Sequence, residues 1–156
     1  MTTKTKIHAW RTTQPFLTIT VKGEPVPWQV YTRQGRPSIG ILAKKAWQTQ
    51  IQVAAKQAMV EKFRDGEPLT GPVRLTIRCY RSIPDWAPKS EEARKRWVRL
   101  HLTMKPDAVN FAKAAEDALE GIVMVNDSQT VEIIASKGFS WDEPYTTIQV
   151  EVLIED

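Results

Sequence analysis

The sequence predicts a small single-domain α+β fold, with a mixed or antiparallel sheet of at least four strands and two main helices. Three observations carry this expectation. Stretches that alternate between apolar and polar residues, such as 73–80, interleave with stretches of helical spacing, above all 39–63. The long helical stretch contains no proline or glycine after Gly40, whereas these breakers punctuate the segments between elements. A chain of 156 residues is one ordinary domain, long enough for a core without disulfide or metal staples.

Taken in order, residues 1–15 read as a flexible basic N-terminal extension, and 1–156 as a single domain. Residues 16–22 (FLTITVK) alternate as a strand that Gly23, Pro25 and Pro27 end. Residues 33–37 (RQGRP) read as an exposed turn. From residue 39 to 63, Ile41, Leu42, Ala46, Trp47, Ile51, Ala54, Ala55, Ala58 and Met59 recur at helical spacing, and the Gln- and Lys-rich remainder faces water or DNA. After a turn at 65–72, residues 73–80 place Val73, Leu75, Ile77 and Cys79 on one face of a strand and Arg74, Thr76, Arg78 and Tyr80 on the other. The two prolines of IPDWAP, residues 83–88, end that strand. Residues 90–100 read as a basic helix or ordered loop, capped by Ser90 with Glu91 and Glu92 in its first turn, and as the most mobile part of the chain. A second main helix at 108–119 stops at Gly121, suited to the left-handed position past a helix end. Residues 130–137 and 146–154 read as an antiparallel hairpin joined by GFSWDEPY.

Composition excludes several classes of function. With Cys79 as the lone cysteine, an apolar strand residue expected to be buried, neither an intrachain disulfide nor a thiolate metal site can form. No apolar stretch reaches the 18 or so residues of a membrane span, and a cytoplasmic protein is expected. The net charge of +4 is modest, but its placement is uneven. Arg94, Lys95, Arg96, Arg99, His101 and Lys105 fall within twelve residues, and Arg33, Arg36, Lys44 and Lys45 bracket the start of the long helix. Positive patches beside an acidic pocket suit a polyanion held by its phosphates, although an ordinary solvated basic surface has the same composition. Of six tryptophans, Trp47 is expected in the core. Trp28, Trp86 and Trp97 lie in loops or basic segments, where a ring either stacks on an unpaired base or packs under a loop.

Chemistry concentrates between Lys105 and Gln129. Asp107 and Asp127 lie at opposite ends of the short helix and its exit turn, where both could offer hard oxygens to one divalent ion. Asp107 alone is equally a helix N-cap. Asn110, one turn further on, could orient a ligand or a metal-bound water. Lys113 could bring its ammonium to a phosphate or instead pair with Glu116 or Asp117. Asp117 is expected to share the face of Asn110 and Lys113, and Glu116 to turn toward solvent. A divalent ion in such a place orients water, lowers its pKa and stabilises charge on a transferring phosphoryl group. Nothing else competes: His8 and His101 are isolated and no Gly-rich phosphate loop is present.

The ordered run Lys105-Pro106-Asp107-Ala108-Val109-Asn110-Phe111-Ala112-Lys113, then Asp117-Ala118-Leu119, then Asn126-Asp127-Ser128-Gln129-Thr130-Val131-Glu132 and Lys137, resembles the signature of the RusA family of Holliday junction resolvases, small endonucleases common in prophages. Weaker similarity extends over residues 16–154. The resemblance implies a RusA-like fold and a homodimer that binds four-way DNA junctions in recombination and repair and nicks two opposing strands. Mg²⁺, with Mn²⁺ as a substitute, would serve as cofactor. It places the metal-binding aspartates at Asp107, position 109 and Asp127, and the catalytic lysine at Lys113; beyond the resemblance, Asn110, Asp117, Asn126 and Glu132 are candidates to support a rearranged site. DNA contacts are expected from Arg33, Arg36, Arg94, Lys95, Arg96, Arg99 and Lys105. Two positions depart from the pattern: Val109 stands where an aspartate is expected, and Asn126 replaces an acidic residue that often precedes Asp127. Valine has no ligating atom, so the alternative expectation is a catalytically impaired homologue that still binds junctions or other nucleic acid.

Overall fold

Alternation becomes strand and helical spacing becomes helix across the residues described by the computed structural model, 10–12, 16–28, 32–33, 36–37 and 39–155. In chain order the elements are β1 (Trp10–Thr12), β2 (Leu17–Lys22), β3 (Thr32–Arg33), β4 (Arg36–Pro37), α1 (Ile39–Lys62), β5 (Val73–Ser82), α2 (Glu91–His101), α3 (Ala108–Leu119), a 3₁₀ turn (Asp127–Gln129), β6 (Thr130–Ser140) and β7 (Tyr145–Glu155). This is the α+β domain that the periodicities predict, with a mixed sheet. Within the segment 1–15, Trp10–Thr12 joins the sheet, and the rest of that segment lies outside the described residues. The RQGRP segment is bracketed by the short β3–β4 pair, with Arg33 opposite Arg36.

β7 is the hub of the sheet. Along one edge it pairs antiparallel with β5, from Val73↔Val152 to Tyr80↔Tyr145. Along the other it pairs with β2 over residues 145–150 and with β1 over residues 153–155. β6 lies outside β5 and runs parallel to it. The hairpin expected from residues 130–137 and 146–154 is therefore not formed, because β5 lies between the two strands. Two neighbouring inter-strand spacings amount to about 10 Å, which the four residues Trp141–Pro144 can cross at about 3.3 Å each. A short connection thus does not require adjacent strands.

Helices α1 and α3 cover one face of this sheet. Leu17, Ile19 and Val21 of β2, Leu75, Ile77 and Cys79 of β5, and Ile148 and Val150 of β7 point into it and are buried. Trp47, Ile51, Ala55 and Met59 of α1 and Phe111, Ala112, Ala115 and Leu119 of α3 meet them. Burying each large side chain contributes on the order of 1.5–3 kcal/mol. The four buried alanines of α3, at 112, 114, 115 and 118, let its backbone approach both sheet and α1, and Gln48 Nε2 donates to the Ala114 carbonyl at 2.9 Å across that contact. The opposite face is polar. There Arg74 of β5 bonds Glu132 of β6 at 2.6 Å and Glu151 of β7 at 3.0 Å, tying three strands together.

Ser90 caps α2 by accepting from the Ala93 N–H at 3.2 Å, as its sequence position predicts. Unlike α1 and α3, α2 has no buried residue.

Candidate active site

The outward stripe of α3 carries Val109, Ala112, Lys113, Glu116 and Asp117, at the three- and four-residue spacing that defines a helical face. With Ile133 and Ala135 of β6 and Asp127 of the 3₁₀ turn, these residues line a cavity of about 480 Å³. Carboxylate oxygens of Glu116, Asp117 and Asp127 lie within 4.8 Å of one another. The buried face of α3 positions the first two. Asp127 is placed by its neighbours: Asn126 accepts from the Ser128 N–H at 2.8 Å, and its own N–H donates to Gln129 Oε1 at 2.9 Å, a reciprocal capping box. The Gln129 amide then donates to the Leu69 and Gly71 carbonyls at 2.8 and 2.9 Å, pinning the turn to the chain before β5. Asn126 and Gln129 thus hold the turn.

Burial pushes the Glu116 carboxyl above its usual range; the charges of Asp127, Asp117 and Glu120 add to the rise, and a hydrogen bond with Thr130 opposes it. Crowded like charge is what a bound cation relieves. At the cavity edge, the exposed Lys113 ammonium lies 4.2 Å from the centroid of the Trp28 ring, and Lys44 of α1 lies 5.4 Å from the same centroid. The Trp28 backbone N–H donates to the Asn110 carbonyl at 2.9 Å, which fixes the ring to the first turn of α3. Lys113 is held by an aromatic face.

Asp107 has a different setting. It occupies the N-cap position of α3, yet its side chain makes no capping bond. Both its oxygens accept from Lys105 Nζ, at 2.9 and 3.0 Å. That hydrogen bond, with the charge of Lys105 behind it, holds the carboxyl below its usual range, and Lys137 adds to the effect. Lys137 Nζ itself bonds the Met104 and Pro106 carbonyls at 2.6 and 3.0 Å, fastening the turn that precedes α3 to β6.

The structure therefore gathers Asp127, Asp117 and Lys113 and leaves Asp107 outside both the carboxylate cluster and the cavity lining. Glu116, expected to face solvent, is half-buried within the cluster. Its signal was the seven-residue spacing from Val109, two helical turns that return it to the same face. Glu132 is engaged with Arg74 on the open face of the sheet and is not in the cluster. Asn110 contributes a carbonyl to Trp28, and Asn126 a cap. Arg96 and Arg99 are exposed on α2, Arg94 is half-buried, and Lys95 pairs with Glu91 at 3.1 Å. The side chains of Arg33 and Arg36 lie outside the described residues.

Motif, cavity and carboxylates meet in one helix and one turn, and comparison with known proteins gives them a lineage. The family model described as endodeoxyribonuclease RusA matches residues 23–151, most of the chain. The chain belongs to the RusA family. A relative, the uncharacterized protein YqaN of Bacillus subtilis (strain 168), is 31% identical over 149 residues, spanning 88% of this chain and 94% of the relative. RusA proteins are divalent-metal-dependent nucleases that act on DNA junctions. The donor set fits such an ion, since three clustered carboxylates offer the hard oxygens that Mg²⁺ and its like prefer. No helix among the described residues is long and apolar enough to cross a membrane.

Proposed function

We propose that this RusA-family protein resolves four-way DNA junctions by paired, Mg²⁺-dependent nicking, Mn²⁺ serving in its place, as a cytoplasmic enzyme of recombination and repair. One observation carries the reading: the motif helix and the Asn126–Gln129 turn converge three carboxylates and a lysine on one open cavity. Glu116, Asp117 and Asp127 are the residues that would hold the ion. When bound, it supplies a water of lowered pKa and neutralises charge on the phosphoryl group. Lys113, braced on Trp28, binds a non-bridging oxygen of the scissile phosphate and offsets the charge that grows there. For Asp107, which makes no capping bond, any role at the ion would require release from Lys105. Lys105 and the α2 cations hold neighbouring phosphates without reading bases. Two opposed cuts match the symmetry of a C₂ homodimer, for which light scattering should give twice 17.8 kDa.

Val109 favours a second reading, an impaired homologue that binds junctions without cutting them. It lines the cavity at 68% exposure and offers no oxygen where the family pattern has an aspartate. Incubating the protein and Mg²⁺ with a synthetic four-way junction and with linear duplex separates the readings. Junction preference with symmetric nicks supports the enzyme; junction preference without nicks selects the impaired form. Equal binding to both DNAs at moderate salt overturns both.

A further inference from the structure

Helix α2 has no fully buried residue. Residues 81–105, which contain it, carry seven Lys or Arg side chains against three carboxylates, an excess equal to the whole net charge of the chain, +4. At its edge lies an aromatic cluster. Trp86, 77% exposed, meets Trp97 of α2 edge to face at 5.2 Å between centroids. Trp97 in turn lies 3.8 Å from the His101 ring and 6.5 Å from Phe139 of β6. The guanidinium of Arg81 sits 5.9 Å over Phe139. The inner rings are thus braced against one another and the sheet, while the outermost is left open to solvent. His101 Nδ1 contacts Met104 Sδ at 2.8 Å, and the Met104 carbonyl accepts from Lys137. A continuous set of contacts therefore joins the cluster to the turn that opens α3.

A solvated indole on a segment with a net four positive charges matches one kind of ligand well: a π-face attached to phosphates. An apolar peptide would leave that charge uncompensated. A base within duplex has both faces already covered by stacking, and extruding it costs a few kcal/mol. Base pairs at the open centre of a junction lack a stacking neighbour on one side, so a ring can reach a base face there without extruding it. We propose that Trp86, braced by Trp97, is a stacking platform for a nucleobase with an uncovered face, with Arg94 of α2, one turn before Trp97 and beside the 83–88 loop, taking a flanking phosphate. This deepens the junction reading and rests on it for the identity of the substrate, while the platform itself answers to any unpaired strand.

The test uses the full chain in chelator, so that cutting plays no part. A single-stranded oligothymidylate, a blunt duplex and a four-way junction are titrated against wild type, Trp86→Leu, Trp86→Phe and Arg94→Gln, with circular dichroism confirming that each variant is folded. Loss of one base–ring stack should weaken oligothymidylate binding by Trp86→Leu at least about fivefold, with duplex binding unchanged and Trp86→Phe restoring most of the loss. The arginine variant should weaken binding to all three DNAs and flatten the salt dependence, which Trp86→Leu leaves alone. Oligothymidylate binding by Trp86→Leu equal to wild type overturns the proposal, as does an equal loss on duplex. Unchanged oligothymidylate affinity with self-association lost in light scattering would assign the ring to a second copy of the chain and overturn it equally. Junction preference of the wild type is scored separately: its absence defeats the resolvase reading, while the platform stands or falls on the oligothymidylate alone.

Discussion

At Val109 an exposed valine faces three carboxylates, so an aspartate can be introduced there with almost no loss of core packing. Val109→Asp adds a fourth negative charge to the cavity. In chelator it should lower stability by roughly 1 kcal/mol through like-charge repulsion; Mg²⁺ should reverse the loss in thermal melts, and junction nicking should rise. If the valine protein already cuts efficiently and the aspartate variant is no faster, Glu116 has taken over the role of the missing ligand. Cys79 gives an independent prediction. Burial pushes its thiol up to about 11 from 9.0. The folded protein keeps a proton that the unfolded chain releases between those values, so stability should fall as pH rises from about 9 to 11. Urea midpoints at mildly and strongly alkaline pH should show this fall, and Cys79→Val should flatten it. Much of the site was legible in residue order, since Asp127, Lys113 and Asp117 stand together in the cavity. What order left unresolved was Glu116: it lies about 100° around the helix from Asp117, and only the placement of Asp127 shows that both belong to one cluster. Nor could it show that the Lys105 side chain holds Asp107.

Among elements, the 3₁₀ turn and α2 respond to substitution in opposite ways. Gln129→Ala removes two hydrogen bonds to the Leu69 and Gly71 carbonyls. That should cost on the order of 1–3 kcal/mol of global stability and, by loosening Asp127, weaken Mn²⁺ binding in calorimetry. Ser90→Ala removes a cap worth about 1 kcal/mol, but α2 buries no residue, so the loss should stay local. Faster amide exchange within Glu91–His101 at an unchanged melting temperature is the expected result; a lowered global melting temperature would show that α2 belongs to the cooperative unit. Helix limits were readable because breakers and caps act locally: Ser90, Asp107 and Gly121 mark ends that the structure reproduces. Strand pairing was not, because alternation reports which face of a strand is apolar and is silent on its neighbour. β6 illustrates the point, since Val131, Ile133 and Ile134 remain exposed along the outer edge of the sheet.

For the molecule as a whole, the central position of β7 sets how much must be present before anything is stable. Both β2 and β5 take it as a partner, and without it they share no hydrogen bonds. A chain cut after residue 144 should therefore lack cooperative unfolding in circular dichroism and lose exchange protection throughout β2 and β5. Retained protection there would show that the α1–α3 layer holds the strands unaided. During translation, β7 emerges after every strand it joins. Unlike domains that settle progressively from the N-terminus, this one closes its sheet only when residues 145–155 leave the ribosome. Until then α3 and β6, between which the acidic cavity opens, have no finished support.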